Sequence, residues 1–425
     1  MIKSRSLLTD GAWIAALQGL SAVGQLLGMR LLTEVVPPSV FGEVSLWVGA
    51  IALVSAAMAN PTMQALLRFY PEFHENGKGR IVKDVVISQL LRLGGFALPV
   101  LGLVALYFFL KGDASASDLL ILFLLAIVDV ARMSSLAYLN ALRAFKPAGV
   151  WALLEAWGRP LLAYLLIGSL GADTTWVLLA YLFASIAAWL IMHKRVPVEP
   201  ALSRTAEATA AHSDLSSRFW RYSIPLLPLG LIGWVSGMAD RYLIGVMLTP
   251  ADVGLYVAVY GLASRPMAMF GGVIETTIRP AYQHAVARGD DSLAKNYIVK
   301  WILLVCGGSL CAVAIASICH VWLAGLLLGA GYRSASGLLP YVVAGYSLLI
   351  LSHVANRICY AHEATKRVLL IEVGGAFSAV VVGFFCIRNF GLQGAAIAVP
   401  VYCGVQLVLA FSLAAPWIRF SPGQR

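Results

Sequence analysis

The chain has 425 residues, of which 60% are hydrophobic and 12% charged, and its formal net charge is +10. A soluble globular chain carries about 45–50% apolar and about 25% charged residues, so a water-soluble enzyme or nucleic-acid-binding fold is excluded for the bulk of this sequence. The six cysteines, Cys306, Cys311, Cys319, Cys359, Cys386 and Cys403, all lie in apolar runs of the second half, where they read as small hydrophobes and not as a disulfide framework or a metal site.

In chain order, apolar runs of about twenty residues, each enough to cross ~30 Å of hydrocarbon, recur at 10–31, 40–67, 84–110, 118–141, 147–170, 174–192, 219–246, 252–279, 297–324, 335–359, 367–387 and 392–415. Backbone groups in lipid must be satisfied within the segment, so these runs are helices; the alternation of barrel strands is absent. The first run follows Lys3 and Arg5 as a secretory leader would. It is too long for one, contains Gln18, Gln25 and Arg30, and ends without an A-x-A-like site, so it reads as a retained first helix.

The stretch 193–217 is polar, rich in Ala, Ser, Thr and Glu, with Pro197 and Pro200. It reads as a cytoplasmic linker between an N-terminal six-helix lobe (1–192) and a C-terminal one (218–425). An internal repeat supports that division. Pro38-Ser-Val-Phe-Gly42 and Tyr70 return 212 residues later as Pro250-Ala-Asp-Val-Gly254 and Tyr282, and Ala141, Ala144, Lys146 and Gly171 return 220 later as Ala361, Ala364, Lys366 and Gly391. The expected architecture is an all-α integral membrane protein of about twelve transmembrane helices in two pseudo-symmetric six-helix bundles. With six helices per half, both halves start on the same side, and such parallel repeats commonly place a substrate path between them.

Connections alternate between basic and nearly neutral. One set, which includes both termini and the linker, carries twenty-one Lys and Arg; the other carries only Lys111, Arg333 and Arg388. By the positive-inside rule both termini face the cytoplasm, and the net positive charge is mostly this topological bias, with no nucleic-acid partner implied.

No Walker loop, GxSxG or HExxH motif is present, so neither ATP hydrolysis nor any other catalysis, cofactor or metal is expected. The informative residues are charges inside the spans, where each costs at least about 2.5–3.5 kcal/mol and needs a cavity or a partner. They are Arg30, Arg92, Arg132, Arg159, Arg241, Arg265 and Arg357, against Asp129, Glu155, Asp240, Glu275 and Glu372.

Arg159 and Arg265 fall nearest the midplane, each followed by a proline, Pro160 and Pro266, that loosens the backbone ladder. Guanidinium is suited to two-pronged capture of phosphate. Glu155 with Arg159 (i,i+4) and Asp129 with Arg132 (i,i+3) also have the spacing of internal ion pairs, and both readings stand at this point. Arg265 has no acid within a helical turn of sequence. Arg30 and Arg241 sit one turn inside the outer ends of their spans, where a long side chain snorkels to the interface. His353, Asn356 and Arg357 form a polar stripe, and His353, Asp129 and Glu155 are the candidates for coupling to a proton or sodium ion. Gln18, Ser21, Gln25, Asn60 and Gln64 serve as glue between helices or as a polar lining.

The runs Arg30-Leu-Leu with Pro38-Ser-Val-Phe-Gly42, and Asp240-Arg241-Tyr-Leu-Ile-Gly245 with Pro250-Ala-Asp-Val-Gly254-Leu-Tyr256, resemble the polysaccharide-unit flippases. These are the Wzx-type branch of the multidrug/oligosaccharidyl-lipid/polysaccharide (MOP) exporter superfamily. The resemblance implies a MATE-like pair of six-helix lobes, alternating access, and export of an undecaprenyl-diphosphate-linked oligosaccharide to the periplasmic leaflet. It also implies membrane lipids and polysaccharide polymerase or assembly proteins as partners. The family's basic central cavity maps onto Arg265, Arg159, Arg30, Arg241, Arg132 and Arg357.

Three rivals are weighed against it. A cation-drug antiporter wants unpaired acids in its cavity, and seven arginines face five acids here. Lipid II flippases resemble the chain but usually add two helices at the C-terminus. A membrane glycosyltransferase or polymerase usually carries a large outer loop, and all outer loops here are of ordinary connection length.

Overall fold

The computed structural model describes residues 4–111, 115–196 and 206–418, and among them there is no strand. Lys3, the middle of the expected linker (197–205), Arg419 and Arg425 lie outside the described residues. The helices are α1 (Ser4–Val35), α2 (Pro38–Glu75), α3 (Gly79–Lys111), α4 (Ala116–Ala141), α5 (Phe145–Leu170), α6 (Thr174–Met192), α7 (Ala206–Ser223), α8 (Leu227–Met247), α9 (Pro250–Ala287), α10 (Asp291–Leu327), α11 (Leu339–Ala361) and α12 (Thr365–Ile418).

Among the described residues, ten stretches are long and apolar enough to cross a membrane. One of them, α12, has 54 residues, about 81 Å at ~1.5 Å per residue, far more than one crossing needs. It breaks at Gly391 (φ 56°, ψ −137°), a backbone state that only glycine adopts at low cost. The two arms run back along each other: Gly375 abuts Gln406, Gly374 abuts Leu409, and Arg367 Nη1 donates to the Leu413 carbonyl at 2.7 Å. With that reversal and the 32-residue α1, helices cover all twelve spans read from the sequence.

The repeat is written into the backbone. Every left-handed residue among those described has a counterpart at one of the two sequence offsets: Gly77 (φ 68°) with Gly289 (φ 72°), Arg143 with Glu363 (both φ 57°), and Gly171 (φ 98°) with Gly391. The hydrogen bonds repeat as well. Gly77 N–H donates to His74 O and Lys78 N–H to Phe73 O; Gly289 donates to Val286 O and Asp290 to Ala285 O. This is the double bond that closes a helix on a left-handed residue.

Chain contacts gather the protein into two compact units, one of Met1–Val36 with Val44–Trp234, the other of Pro37–Glu43 with Val235–Arg425. The first unit extends past the polar linker because part of that linker is not a tether. Residues 206–223 form α7, whose Leu215 and Phe219 are fully buried against Met63, Leu66, Tyr70 and Val82. Arg218 lies over the Phe69 ring at 5.0 Å. The start of α8 belongs to the same unit: Trp234 Nε1 donates to the Gly49 carbonyl at 2.8 Å.

The second unit explains the repeated Pro-x-x-x-Gly motif. Thr249 accepts from the Asp252 N–H while Asp252 accepts from the Thr249 N–H, closing a capping box. Pro250 occupies the first turn, where a missing N–H costs nothing. A methyl added to Gly254 would overlap the Pro38 carbonyl oxygen, and one added to Gly42 the Pro250 carbonyl. The first turns of α2 and α9 therefore touch backbone to backbone, and Phe41 seals the contact edge-on against Tyr332 at 5.9 Å.

Candidate functional site

In the first unit four charged residues from α4 and α5 form one network. Arg132 donates Nε–H to Asp129 Oδ1 at 3.1 Å, and its Nη1 lies 3.4 Å from Glu155 Oε2. Arg159 approaches that same Glu155 oxygen with Nη2 at 3.7 Å. Polar groups of neighbouring helices complete it. Ser55 of α2 donates to Asp129 at 2.6 Å, Trp151 Nε1 donates to Glu155 Oε1 at 3.2 Å, and Arg159 donates Nε–H and Nη2–H to Ser185 Oγ of α6 at 3.2 and 3.0 Å.

Two cations and two carboxylates balance here, as buried charges must if the desolvation cost is to be offset. The network lines a cavity of about 210 Å³, with Arg132, Arg159, Asp129, Tyr181 and Ser185 facing Val48, Ile51, Ala52 and Leu125. That is below the ~300 Å³ of ordinary ligand pockets, so it suits a phosphate-sized group or a few waters. Arg159 also lies over the Tyr181 ring at 5.9 Å.

Pro160 is buried inside α5, and its ring fills the space over Gly28 of α1. Arg30, on α1, does not line the cavity; it pairs with Glu34 at 2.9 Å.

The second unit holds two further networks. Glu275 of α9 is shared by two guanidiniums: Arg357 of α11, with Nε–Oε1 at 2.7 Å and Nη2–Oε2 at 3.3 Å, and Arg279, with Nη1–Oε1 at 3.1 Å. Glu372 of α12 accepts from Asn356 Nδ2 at 2.8 Å. His353, a turn before Arg357, lies within electrostatic reach of Arg357 and Glu275.

Separately, Asp240 accepts from Tyr256 Oη at 2.5 Å and from the Arg241 N–H at 2.8 Å, tying α8 to α9. Arg241 turns its guanidinium over the Tyr260 ring at 5.4 Å, and Tyr346 donates to Tyr260 Oη at 2.9 Å. The Asp240-Arg241 and Leu-Tyr256 portions of the family-like motif are thus one hydrogen-bonded unit. Arg265 is partly buried on α9, directly before Pro266.

The structure joins Arg132, Arg159, Asp129 and Glu155, and it joins Arg357 to the Glu275 side of the His353 stripe. Arg241 belongs to the separate tyrosine network. The sequence reading missed Ser55, Tyr181 and Ser185, single polar groups in apolar runs with no charge to draw attention. It also did not name Arg279 among the charges inside the spans, although it pairs with Glu275 inside α9. Among the described residues no cluster of His, Cys, Asp and Glu is arranged to hold a metal.

The family profile described as "Polysaccharide biosynthesis protein" matches residues 7–284. No curated protein matches the chain significantly. Among solved structures the chain is similar to an inward-facing multidrug resistance MATE family transporter of the MOP superfamily, with 14% identity, a TM-score of 0.71, and coverage of 95% of this chain and 94% of that one. It is similar to the lipid II flippase MurJ in an inward closed conformation, with 13% identity, a TM-score of 0.70, and coverage of 94% and 86%. A MOP superfamily transporter from Pyrococcus furiosus, described as having a binding pocket of reverse polarity, matches with 17% identity, a TM-score of 0.55, and coverage of 97% and 91%. At such identities the likeness is one of fold. With its profile match spanning more than half of the sequence, this multi-pass membrane chain belongs to the polysaccharide biosynthesis protein family and carries the fold of the MOP transporters.

Proposed function

We propose that the protein is a flippase that moves an undecaprenyl-diphosphate-linked oligosaccharide unit from the cytoplasmic to the periplasmic leaflet of the bacterial inner membrane by alternating access. Family membership supports the polysaccharide context. The observation that carries the anionic substrate is the sharing of Glu275 by Arg279 and Arg357, while the neighbouring carboxylate Glu372 is engaged by Asn356.

Two guanidiniums directly paired with one carboxylate inside membrane-spanning helices keep unused N–H donors for a second anion. A diphosphate matches that need, and guanidinium binds it in two-pronged fashion. The sugars and diphosphate cannot cross ~30 Å of hydrocarbon unaided, whereas the prenyl chain stays in lipid. The reading places both termini in the cytoplasm, on the loop-charge bias, and takes a proton, a sodium ion or the membrane potential as the driving force.

The test is reconstitution in vesicles with a fluorescent lipid-linked oligosaccharide, following the fraction that becomes accessible on the opposite face. Wild type should translocate it, Arg265→Ala should abolish translocation with normal insertion, and Arg265→Lys should restore it only in part, because a point charge does not reproduce the planar fork. Export of organic cations by wild type, with no translocation of the oligosaccharide, would replace this reading with that of a drug antiporter.

A further inference from the structure

α3 and α4 are consecutive helices joined by a short loop, and such neighbours normally close on each other at about 8–10 Å between axes. Here their facing stripes stay apart. Lys83, Ile87, Leu91, Gly95 and Pro99 of α3 recur every fourth residue along one wall, and Ile127, Val130, Ser134 and Tyr138 of α4 form the other. Val54 and Met58 of α2 line it as well, and Trp189, His193 and Val196 stand at one end; the groove holds about 840 Å³, within the ~300–1,000 Å³ of ligand sites. From Lys83 to Pro99 it runs about 24 Å at ~1.5 Å per residue, most of the ~30 Å hydrocarbon thickness.

Its chemistry is graded along that length. Charged and ring-polar groups gather at the end that the loop-charge bias assigns to the cytoplasm. Lys83 Nζ lies 5.3 Å from the centroid of Tyr138, and His193 uses Nδ1 toward the Leu190 carbonyl at 2.8 Å while stacking on Trp189. The far end, around Leu98, Pro99 and Ala126, has no polar side chain. The wall is open, with Leu91 72% exposed, and at Gly95 the space a side chain would take is empty. A long apolar channel with a cation at its mouth is complementary to one hydrocarbon chain carrying a phosphate group, and a Lys near the membrane surface attracts anionic lipid.

We propose that the α3–α4 groove holds the prenyl chain of the lipid-linked substrate on the cytoplasmic side, with Lys83 against its diphosphate. This rests on the flippase reading above and adds to it a docking site for the part of the substrate that never leaves lipid. Bulk phospholipid is the alternative occupant that the experiment distinguishes.

A photoreactive benzoylphenylalanine is introduced at Leu91, and in a second protein at Leu303 of α10, which is 65% exposed and lies outside the groove. Both proteins are irradiated in vesicles of phosphatidylethanolamine and phosphatidylglycerol containing undecaprenyl diphosphate. Crosslinking at Leu91 should be enriched several-fold in the prenyl lipid over phospholipid relative to Leu303. Gly95→Trp, which fills the empty wall, should remove the enrichment, and Lys83→Gln should reduce it, each at unchanged protein level.

Equal ratios at the two positions, or phospholipid enrichment at Leu91, overturn the proposal, and neither outcome depends on a variant folding. The translocation assay on wild type separates the two readings. Enrichment without translocation leaves the groove standing and removes the flippase, whereas translocation without enrichment removes the groove alone.

Discussion

At Arg143 and at Glu363 the backbone takes the same left-handed step, and Gly77 with Gly289 and Gly171 with Gly391 do likewise. The ionisable residues inside the spans follow no such correspondence. The positions 220 residues after Asp129, Arg132, Glu155 and Arg159 are Leu349, Ser352, Gly375 and Ala379. Those equivalent to Glu275, Arg279, Arg357 and Glu372 in the first half are Met63, Leu67, Ala137 and Ala152. The halves keep helix ends and close packing in common, because those make the fold. They differ in charge, and so in chemistry: the first half pairs Arg132 and Arg159 with Asp129 and Glu155, and the second brings Arg279 and Arg357 onto one carboxylate, Glu275.

The largest effect should come from unbalancing the first half. Glu155→Gln leaves Arg132 and Arg159 with Asp129 alone, and breaking a buried pair costs about 3–5 kcal/mol, so membrane abundance should fall steeply. The double variant Glu155→Gln/Arg159→Gln keeps the Asp129–Arg132 pair and restores neutrality; its abundance should recover. If export recovers as well, Arg159 has a structural role only. Abundance of Glu155→Gln equal to wild type would erase the contrast between the halves.

The second half should respond in the opposite sense. Arg357→Gln leaves Glu275 balanced by Arg279, so abundance should hold while translocation drops by at least about tenfold, or ~1.4 kcal/mol in a binding step. Paired measurements of level and initial rate decide it. A fall in level with no change in rate per molecule would make Arg357 a second internal pair, like those of the first half.

Packing shared by the halves gives the next size of effect. Gly254→Ala or Gly42→Ala forces a methyl into a backbone carbonyl, and overpacking of this kind costs about 1–3 kcal/mol. Either variant should lower the thermal midpoint in detergent, and by a similar amount, since each glycine meets the equivalent oxygen. Markedly unequal losses would show that the repeated motif is not used equivalently.

The turns give effects of the same size or smaller. Gly391→Ala places a side chain in a mirror-image backbone state at a cost of about 1–3 kcal/mol. Glu363→Gly, at a left-handed residue that already bears a side chain, should change stability by less than about 1 kcal/mol in either direction. Chemical denaturation of the two variants side by side checks the order.

The twelve apolar runs, the loop-charge bias and the two repeat offsets were all legible from residue types in order, because a bilayer reads hydropathy over about twenty residues at a time. The same reading paired Asp129 with Arg132 and Glu155 with Arg159, since i,i+3 and i,i+4 neighbours share a helix face. It could not find that Glu155 also serves Arg132, that Ser55 and Ser185 complete the network, or that Arg357 reaches Glu275 eighty-two residues away.

It treated 193–217 as a tether, whereas Leu215 and Phe219 dock α7 into the first unit's core. Lipid is as apolar as a helix interface, so hydrophobicity does not say which face of a membrane helix meets its neighbour; close approach and polar contacts do. Composition and periodicity determined that this chain crosses a membrane, how often, and that it does so twice over. Which charges meet, which are left to share a partner, and where α3 and α4 part to leave a groove were decided by tertiary packing alone, because helix faces distant in sequence can be matched only once the helices stand side by side.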